Sequence, residues 1–175
     1  MAKLRKFSCY RSIERAYTRK SKYKNKGYIK AVPDPRISRY NMGDSKRKFS
    51  HQVDLISTVD LQVRSNAIES ARQVGNRRLE VNLGNNYYFM VRTFPHHALR
   101  ENKMIVGAGA DRMQTGMQRS FGKVIGVAAQ VRKNQPIFSV YVDKNGLETA
   151  KEALKIANTR LPRKFNIIVK EIPKR

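Results

Sequence analysis

Lysine, arginine and aromatic side chains dominate the first fifty residues of the chain. Residues 1–50 hold sixteen Lys or Arg against three acids, which is thirteen of the net charge of +24. Interleaved with these cations are the aromatic residues Phe7, Tyr10, Tyr17, Tyr23, Tyr28, Tyr40 and Phe49. Cations neutralise phosphates and aromatic rings stack on unpaired bases, so the pattern favours a surface that follows a nucleic-acid backbone. A solvated basic tail is the alternative, but a compact domain at +24 would repel itself unless a polyanion were bound.

The candidate phosphate contacts are the basic side chains of this region. They are Arg5, Lys6, Arg11, Arg15, Arg19, Lys20, Lys22, Lys24, Lys26, Lys30, Arg36, Lys46, Arg47 and Lys48.

A second candidate site is the glycine-punctuated segment 107–122. Sixteen residues without a regular element are unusual inside a compact domain, and such loops are commonly functional. Small residues allow close approach to a ligand backbone, while charged and amide side chains supply contacts. The candidate contact residues are Arg112, Gln114, Thr115, Arg119 and Lys123. A P-loop is excluded because five residues, not four, separate Gly116 from Gly122, and Val124 follows Lys123 where Ser or Thr is required.

Catalytic and metal-binding chemistry finds little support in the sequence. Cys9 has no histidine near it in sequence, and the adjacent His96 and His97 would point in opposite directions on an extended chain. Metal ligands must converge, so we expect no metal site and no cofactor. The carboxylates Asp54 and Asp60 read as surface residues, and nothing combines a nucleophile, a base and an orienting group. We therefore expect no enzymatic activity.

The elements that must position these side chains follow from hydrophobic periodicity. Helices are predicted at about residues 65–78, with Ser65 as the N-cap, and from Leu147 to Leu161, ended by Pro162. Strands are predicted at 87–94, 98–105, 123–131, 137–142 and 165–172, and short strands or a helix lead-in at 53–63. Two helices among strands without a regular strand–helix–strand repeat indicate an α+β fold.

The charge distribution divides the chain at residue 50. Residues 1–50 are interpreted as a basic, largely extended arm that buries little apolar area and gains order from its partner, with one short strand at Arg36–Tyr40. Residues 51–175 are interpreted as the globular domain, with the loop 107–122 at its centre. No signal peptide is visible, and the apolar stretches fall short of the roughly 18 residues of a membrane span, so we expect a cytoplasmic protein without a membrane partner.

The string from Ala108 to Lys123 closely resembles the central loop of a universal large-subunit ribosomal protein family, called L-ten-e in archaea and eukaryotes and L-sixteen in bacteria. The match departs at Gln118, where the family has arginine and Arg119 follows instead. Further blocks resemble the archaeal and eukaryotic branch: Cys9-Tyr10-Arg11, Val32-Pro33-Asp34, Glu69-Ser70-Ala71-Arg72, Phe94-Pro95-His96-His97 and Asn102-Lys103-Met104.

This resemblance implies an α+β fold of the α/β-hammerhead type, a mixed sheet with two helices, and a structural role in the ribosome. It further implies that the arm binds large-subunit rRNA near the peptidyl-transferase region, that the loop 107–122 approaches the A-site tRNA, and that the protein supports subunit assembly. Neighbouring ribosomal proteins would be partners, and a stable homo-oligomer is not expected. The alternative from another class is a basic, DNA-compacting protein of the chromatin type.

Overall fold

Two antiparallel β-sheets and two α-helices make up the part of the chain that the computed structural model describes, which comprises residues 4–13, 29, 32–102, 107–109 and 122–173. In chain order the elements are β1 (Asn41–Gly43), β2 (His51–Ser57), β3 (Leu61–Arg64), α1 (Ser65–Leu83), β4 (Tyr88–Val91), β5 (His97–Glu101), β6 (Lys123–Val131), β7 (Pro136–Val142), α2 (Leu147–Asn158) and β8 (Phe165–Glu171). Short 3-10 helices lie at Phe7–Tyr10 and Lys144–Gly146. The predicted α+β class with two helices is thus confirmed.

The five-stranded sheet, in the order β1-β4-β7-β2-β8, carries the main core. Helix α2 packs on β2 and β7, and helix α1 packs against α2. The two helices approach closely where α1 has Gly75, since a Cβ there would already lie 3.5 Å from the Cβ of Ala157. Beneath them, Phe89 and Phe138 are fully buried with ring centroids 5.3 Å apart. Small residues at the helix crossing therefore let both helices cover the aromatic centre of the sheet.

The three-stranded sheet, in the order β3-β6-β5, supports the central loop. Strand β6 pairs with β3 through its second half and with β5 through its first half. The last pair of the β5–β6 ladder joins Glu101 to Lys123. The central loop therefore leaves from, and returns to, the end of this sheet.

Several boundaries differ from the sequence predictions. Helix α1 begins with Ser65 inside it, and Arg64 occupies the N-cap position without a side-chain capping bond. The helix extends to Leu83 because Gly84, with φ of 59°, adopts a positive φ that ends it. The apolar residues around 53–63 form the two strands β2 and β3. Asp54, which the sequence analysis assigned to the surface, is only 1% exposed and accepts hydrogen bonds from Ser139 and Gln52.

The basic arm also contributes to the core, contrary to the expectation that it buries little apolar area. Tyr10, Ile37, Met42 and Phe49 are all buried. The short strand predicted at Arg36–Tyr40 lies instead at Asn41–Gly43, where it pairs with β4. The described part of the arm is therefore held by tertiary contacts that local sequence does not display.

A buried ion pair fastens the end of this arm to helix α1. Both nitrogens of the Arg72 guanidinium fork contact Glu69, at 2.8 Å from Nε to Oε2 and 2.7 Å from Nη2 to Oε1. The Ser38 hydroxyl donates to Glu69, and Arg72 also contacts the Met42 sulfur. These hydrogen bonds, led by those from Arg72, lower the pKa of Glu69 to about 2. A side chain on one helix thus organises the chain on either side of Tyr40.

Replacing Glu69 by Gln should destabilise the fold in a pH-dependent way. The folded pKa is about 2 against an ordinary 4.5. The stabilisation is therefore fully present above pH 4.5 and is lost as the pH falls toward 2. The difference in free energy of unfolding between wild type and variant should be on the order of 3 kcal/mol at pH 7 and should shrink across that window. Denaturant titrations at a series of pH values measure it.

Glu152→Gln is the matched control, because Glu152 forms an exposed pair with Arg78 at 2.9 Å. Exposed pairs contribute about 0–1 kcal/mol, so its effect should be small at every pH. A difference for Glu69→Gln that stayed constant from pH 7 to pH 2 would contradict the assignment.

Candidate nucleic-acid interface

Residues 4–13, called here the docked segment, lie across the three-stranded sheet. The 3-10 helix Phe7–Tyr10 points Tyr10 inward, where it is 7% exposed and packs with Leu99, Ala128 and Leu4. The Leu4 side chain covers Gly126, since a Cβ there would lie 3.2 Å from Leu4. An apolar anchor thus holds a stretch of chain whose other side chains are mostly exposed.

The buried carboxylate of Glu101 fastens this segment. It accepts hydrogen bonds from the Tyr10 hydroxyl at 2.5 Å and from Arg5 Nε at 2.8 Å. The hydrogen bond to Glu101 raises the pKa of Arg5, while burial and then the same carboxylate raise the pKa of Tyr10. In the β5–β6 ladder the backbone of Glu101 is paired with that of Lys123, so the residue whose carboxylate holds the docked segment also lies at the base of the central loop.

Strand β3 holds the other side of the docked segment. The Gln62 side chain donates to the backbone oxygen of Tyr10 at 2.9 Å, and the Gln62 amide donates to the backbone oxygen of Arg11 at 2.8 Å. Arg64 Nη1 donates to the backbone oxygen of Arg5 at 3.0 Å. The guanidinium groups of Arg5 and Arg64 each lie 5.9 Å from the centre of the Tyr10 ring. Backbone, ring and carboxylate contacts together hold residues 4–13 on the three-stranded sheet.

The predicted phosphate contacts of this first stretch remain accessible where the structure describes them. Lys6 is exposed and Arg11 is half-buried. Arg5 keeps 59% of its side chain exposed although it pairs with Glu101. The remaining members of the set lie outside the described residues; they are Arg15, Arg19, Lys20, Lys22, Lys24, Lys26 and Lys30.

The second group of predicted contacts comprises Arg36, before β1, and three residues of the turn between β1 and β2. Arg36, Lys46 and Lys48 are exposed. Arg47 is committed within the protein, since it donates to Asp143 at 2.7 Å and lies 5.5 Å from the centre of the Phe49 ring. Its charge is therefore partly neutralised, unlike those of its neighbours.

Of the predicted loop residues, the structure describes only Lys123, which is exposed at the start of β6. Arg112, Gln114, Thr115 and Arg119 lie outside the described residues. At the loop's return, Gly122 has φ of 100°, a conformation that other residues rarely adopt. A glycine is thus required where the chain re-enters the sheet.

One member of the histidine pair lies in a row of aromatic side chains. His96 is exposed and lies against Phe94, with ring centroids 4.6 Å apart, while Phe94 stacks on Tyr40 at 5.6 Å. Local sequence does not reveal this aromatic row, because Tyr40 and Phe94 are distant along the chain. Within the described ranges, no group of three or more His, Cys, Asp or Glu could hold a metal ion.

Sequence reasoning also missed the residues that hold the docked segment. Glu101, Gln62 and Arg64 carry no motif of their own, and each acts on a partner more than fifty residues away. Their one signal is position, since a polar side chain on a strand of a buried sheet needs a partner.

No helix in the described part of the chain is long and apolar enough to cross a bilayer.

Replacing Tyr10 by Phe should loosen the docked segment without unfolding the protein. The change removes a buried hydrogen bond to a carboxylate, which is worth about 1.5–3 kcal/mol. The Gln62 amide, which donates to Arg11, is a direct reporter. Its hydrogen exchange should accelerate about 10- to 100-fold. Tyr88→Phe, which removes an exposed hydroxyl bond to Asn41, should leave that rate unchanged. Equal exchange in wild type and Tyr10→Phe would show that Glu101 does not hold the segment.

Comparison with known sequences covers most of the chain, including the central loop. The sequence model of the family described as ribosomal protein L16p/L10e matches residues 14–168. A protein named large ribosomal subunit protein uL16 from Methanococcus maripaludis is 45% identical over 168 residues, covering 95% of this chain and 94% of its own. The proteins of that name from Metallosphaera sedula and Methanospirillum hungatei are 42% and 38% identical, with 95% and 93% of this chain covered, and 94% and 93% of theirs. This chain belongs to the ribosomal protein L16p/L10e family.

Proposed function

We propose that this chain is a structural constituent of the large ribosomal subunit that binds rRNA through its basic arm and presents its central loop toward A-site tRNA. The name of its relatives, large ribosomal subunit protein, supports the first part of the proposal. The resemblance of residues 108–123 to the family's central loop supports the second. The protein would act in the cytoplasm as part of the ribosome, beside other ribosomal proteins, as a single copy and without catalysis.

The observation that carries the proposal is that the three-stranded sheet supports both the start of the arm and the base of the loop. The docked segment precedes the cation-rich stretch in the sequence and is fastened by Glu101 at the base of the loop. A phosphate-binding arm and a loop aimed at a second RNA must keep a fixed relation if binding one is to position the other. The three-stranded sheet gives both elements a rigid base.

Charge supplies the binding energy in this proposal. Each phosphate neutralised by Lys or Arg releases counterions, so affinity falls steeply with salt. A DNA-compacting role would use the same chemistry, but family membership disfavours it. Competition distinguishes the two, because a ribosomal protein should prefer structured large-subunit rRNA to duplex DNA of equal length.

Replacing Lys22, Lys24 and Lys26 by Gln should weaken rRNA binding and flatten its salt dependence. Each lost phosphate contact lowers the slope of log affinity against log salt by roughly 0.7–0.9, so three should lower it by roughly 2–3. Titration of protein-free large-subunit rRNA across a salt series measures this. The control replaces the exposed Lys144, Lys151 and Lys155, which changes net charge equally. Equal slopes for the two triple variants would remove the arm from the interface.

Deleting Gly109–Ser120 should leave the fold and most rRNA binding intact and reduce A-site tRNA binding. Both flanking strands lie outside the deletion, and a shorter closed loop costs little, since each halving is worth about 0.6 kcal/mol. Arg112→Ala should give a weaker form of the same defect, because one contact to a phosphate contributes about 1.5–3 kcal/mol.

The measurement incorporates each protein into subunits and scores occupancy and tRNA binding separately. A Gly-Ser linker in place of the deleted residues controls for loop length. Full occupancy with normal tRNA binding would refute the loop's role. Loss of occupancy would instead make the loop a docking element.

A further inference from the structure

A groove of about 390 Å³ lies between the docked segment, strand β3 and the end of helix α2. Phe7 forms one wall, Arg64 and Ala67 line it from the β3–α1 junction, and Arg160 and Leu161 line it from beyond α2. Its volume is at the small end of the range for ligand sites in proteins, about 300–1,000 Å³. The groove is therefore large enough for one small planar group.

The wall formed by Phe7 is unusual because an aromatic ring is left largely exposed on a rigid support. Phe7 is 48% exposed, whereas Tyr10, three residues later in the same 3-10 helix, is 7% exposed. The contacts of Tyr10 with Glu101 and Gln62 fix this helix, so Phe7 is held at the groove without being covered. A pre-positioned ring loses little conformational freedom when a ligand stacks on it.

The charges at the groove select the ligand. Two guanidinium groups, those of Arg64 and Arg160, line it, and no Asp or Glu is among the described residues that do so. Arg160 is exposed and forms no ion pair within the described part of the chain. Arg64 Nε is buried and has no hydrogen-bond partner among the described residues. Apolar residues, Ala67, Leu161 and Pro162, supply the rest of the surface.

An aromatic wall, an apolar floor and arginines without acids match one chemical class better than any other. An unpaired nucleotide has an apolar face that stacks on aromatic rings or guanidinium planes, and a phosphate that pairs with arginine. A peptide segment would use the apolar floor but gains nothing from two cations unless it is acidic. Since the docked segment itself belongs to the basic arm, a nucleic acid that follows the arm passes beside this groove.

We propose that the groove holds one unstacked nucleotide of the bound rRNA, with its base against Phe7 and its phosphate at Arg160. The proposal rests on the rRNA binding proposed above. It adds one defined contact, which recognises an unpaired nucleotide of the rRNA. The contact is independent of the central loop, since the residues that form it lie on the docked segment, the β3–α1 junction and the end of α2.

Substitutions at Phe7 separate stacking from simple packing. Phe7→Ala should weaken binding of full-length protein to protein-free large-subunit rRNA by about 5- to 150-fold, the range of one lost base–aromatic stack. Phe7→Trp should restore binding, and Phe7→Leu should not, because leucine keeps apolar area but has no π-face. The salt slope should not change for Phe7→Ala, whereas Arg160→Gln should lower it by roughly 0.7–0.9. Hydrogen exchange of the Gln62 amide reports whether the segment stays docked in each variant.

Chemical probing of the rRNA completes the test. One unpaired base should be protected by wild type and by Phe7→Trp and become reactive with Phe7→Ala. If Phe7→Ala binds rRNA as tightly as wild type, the proposal that a nucleotide occupies the groove is wrong. The proposed rRNA-binding function is not contradicted by that result. Full rescue by Phe7→Leu overturns stacking and makes Phe7 an apolar packing residue instead. Wild-type protein that binds rRNA no better than duplex DNA overturns the proposed function and the groove together.

Discussion

Electrostatic repulsion among cations opposes the folding of this chain, since it has 37 basic residues and only 13 acidic residues. Several of the scarce carboxylates lie where separate segments meet. Glu69 and Arg72 join helix α1 to the end of the arm, and Asp143 holds Arg47 in the β1–β2 turn. Local neutralisation at these junctions lets the chain close upon itself. The cations that remain exposed are available to a polyanion.

Glu101 joins the docked segment to strand β5 and to the base of the central loop. It is the last residue of β5, its side chain is buried, and it accepts hydrogen bonds from both Arg5 and Tyr10. The position is energetically sensitive, because a buried carboxylate that loses its donors retains a desolvation cost without compensation. The start of the chain and the base of the central loop therefore depend on the same side chain. In the proposed function these are the supports of the rRNA-binding and tRNA-facing elements.

The aromatic residues of the arm divide into two roles that composition does not distinguish. Tyr10 and Phe49 are buried and hold the arm on the domain, whereas Phe7 is exposed beside a groove lined by arginines. Tyr40 takes a middle position, half-buried and stacked on Phe94. In the described part of the arm, buried anchor residues thus alternate with exposed residues.

Much of the fold could be predicted from local sequence, because periodicity and turn residues act over a few positions. The stripe from Leu147 predicted helix α2, and the apolar runs before and after Pro136 predicted β6 and β7. The N-cap of α1 and the strand near residue 40 were misplaced by a few residues. Asp54 was assigned to the surface since sequence does not reveal that Ser139 lies opposite it across the sheet.

The α+β class, the basic character of the first fifty residues, the position of the glycine-rich segment and the resemblance to a ribosomal family could all be inferred from the sequence. Which described cations and aromatic residues are exposed, and that Glu101 holds the docked segment at the base of the loop, follow only from the folded structure. The physical reason is distance along the chain. Arg5 and Glu101 are separated by 96 residues. Their hydrogen bond exists only because two sheets have already folded and excluded water from the carboxylate.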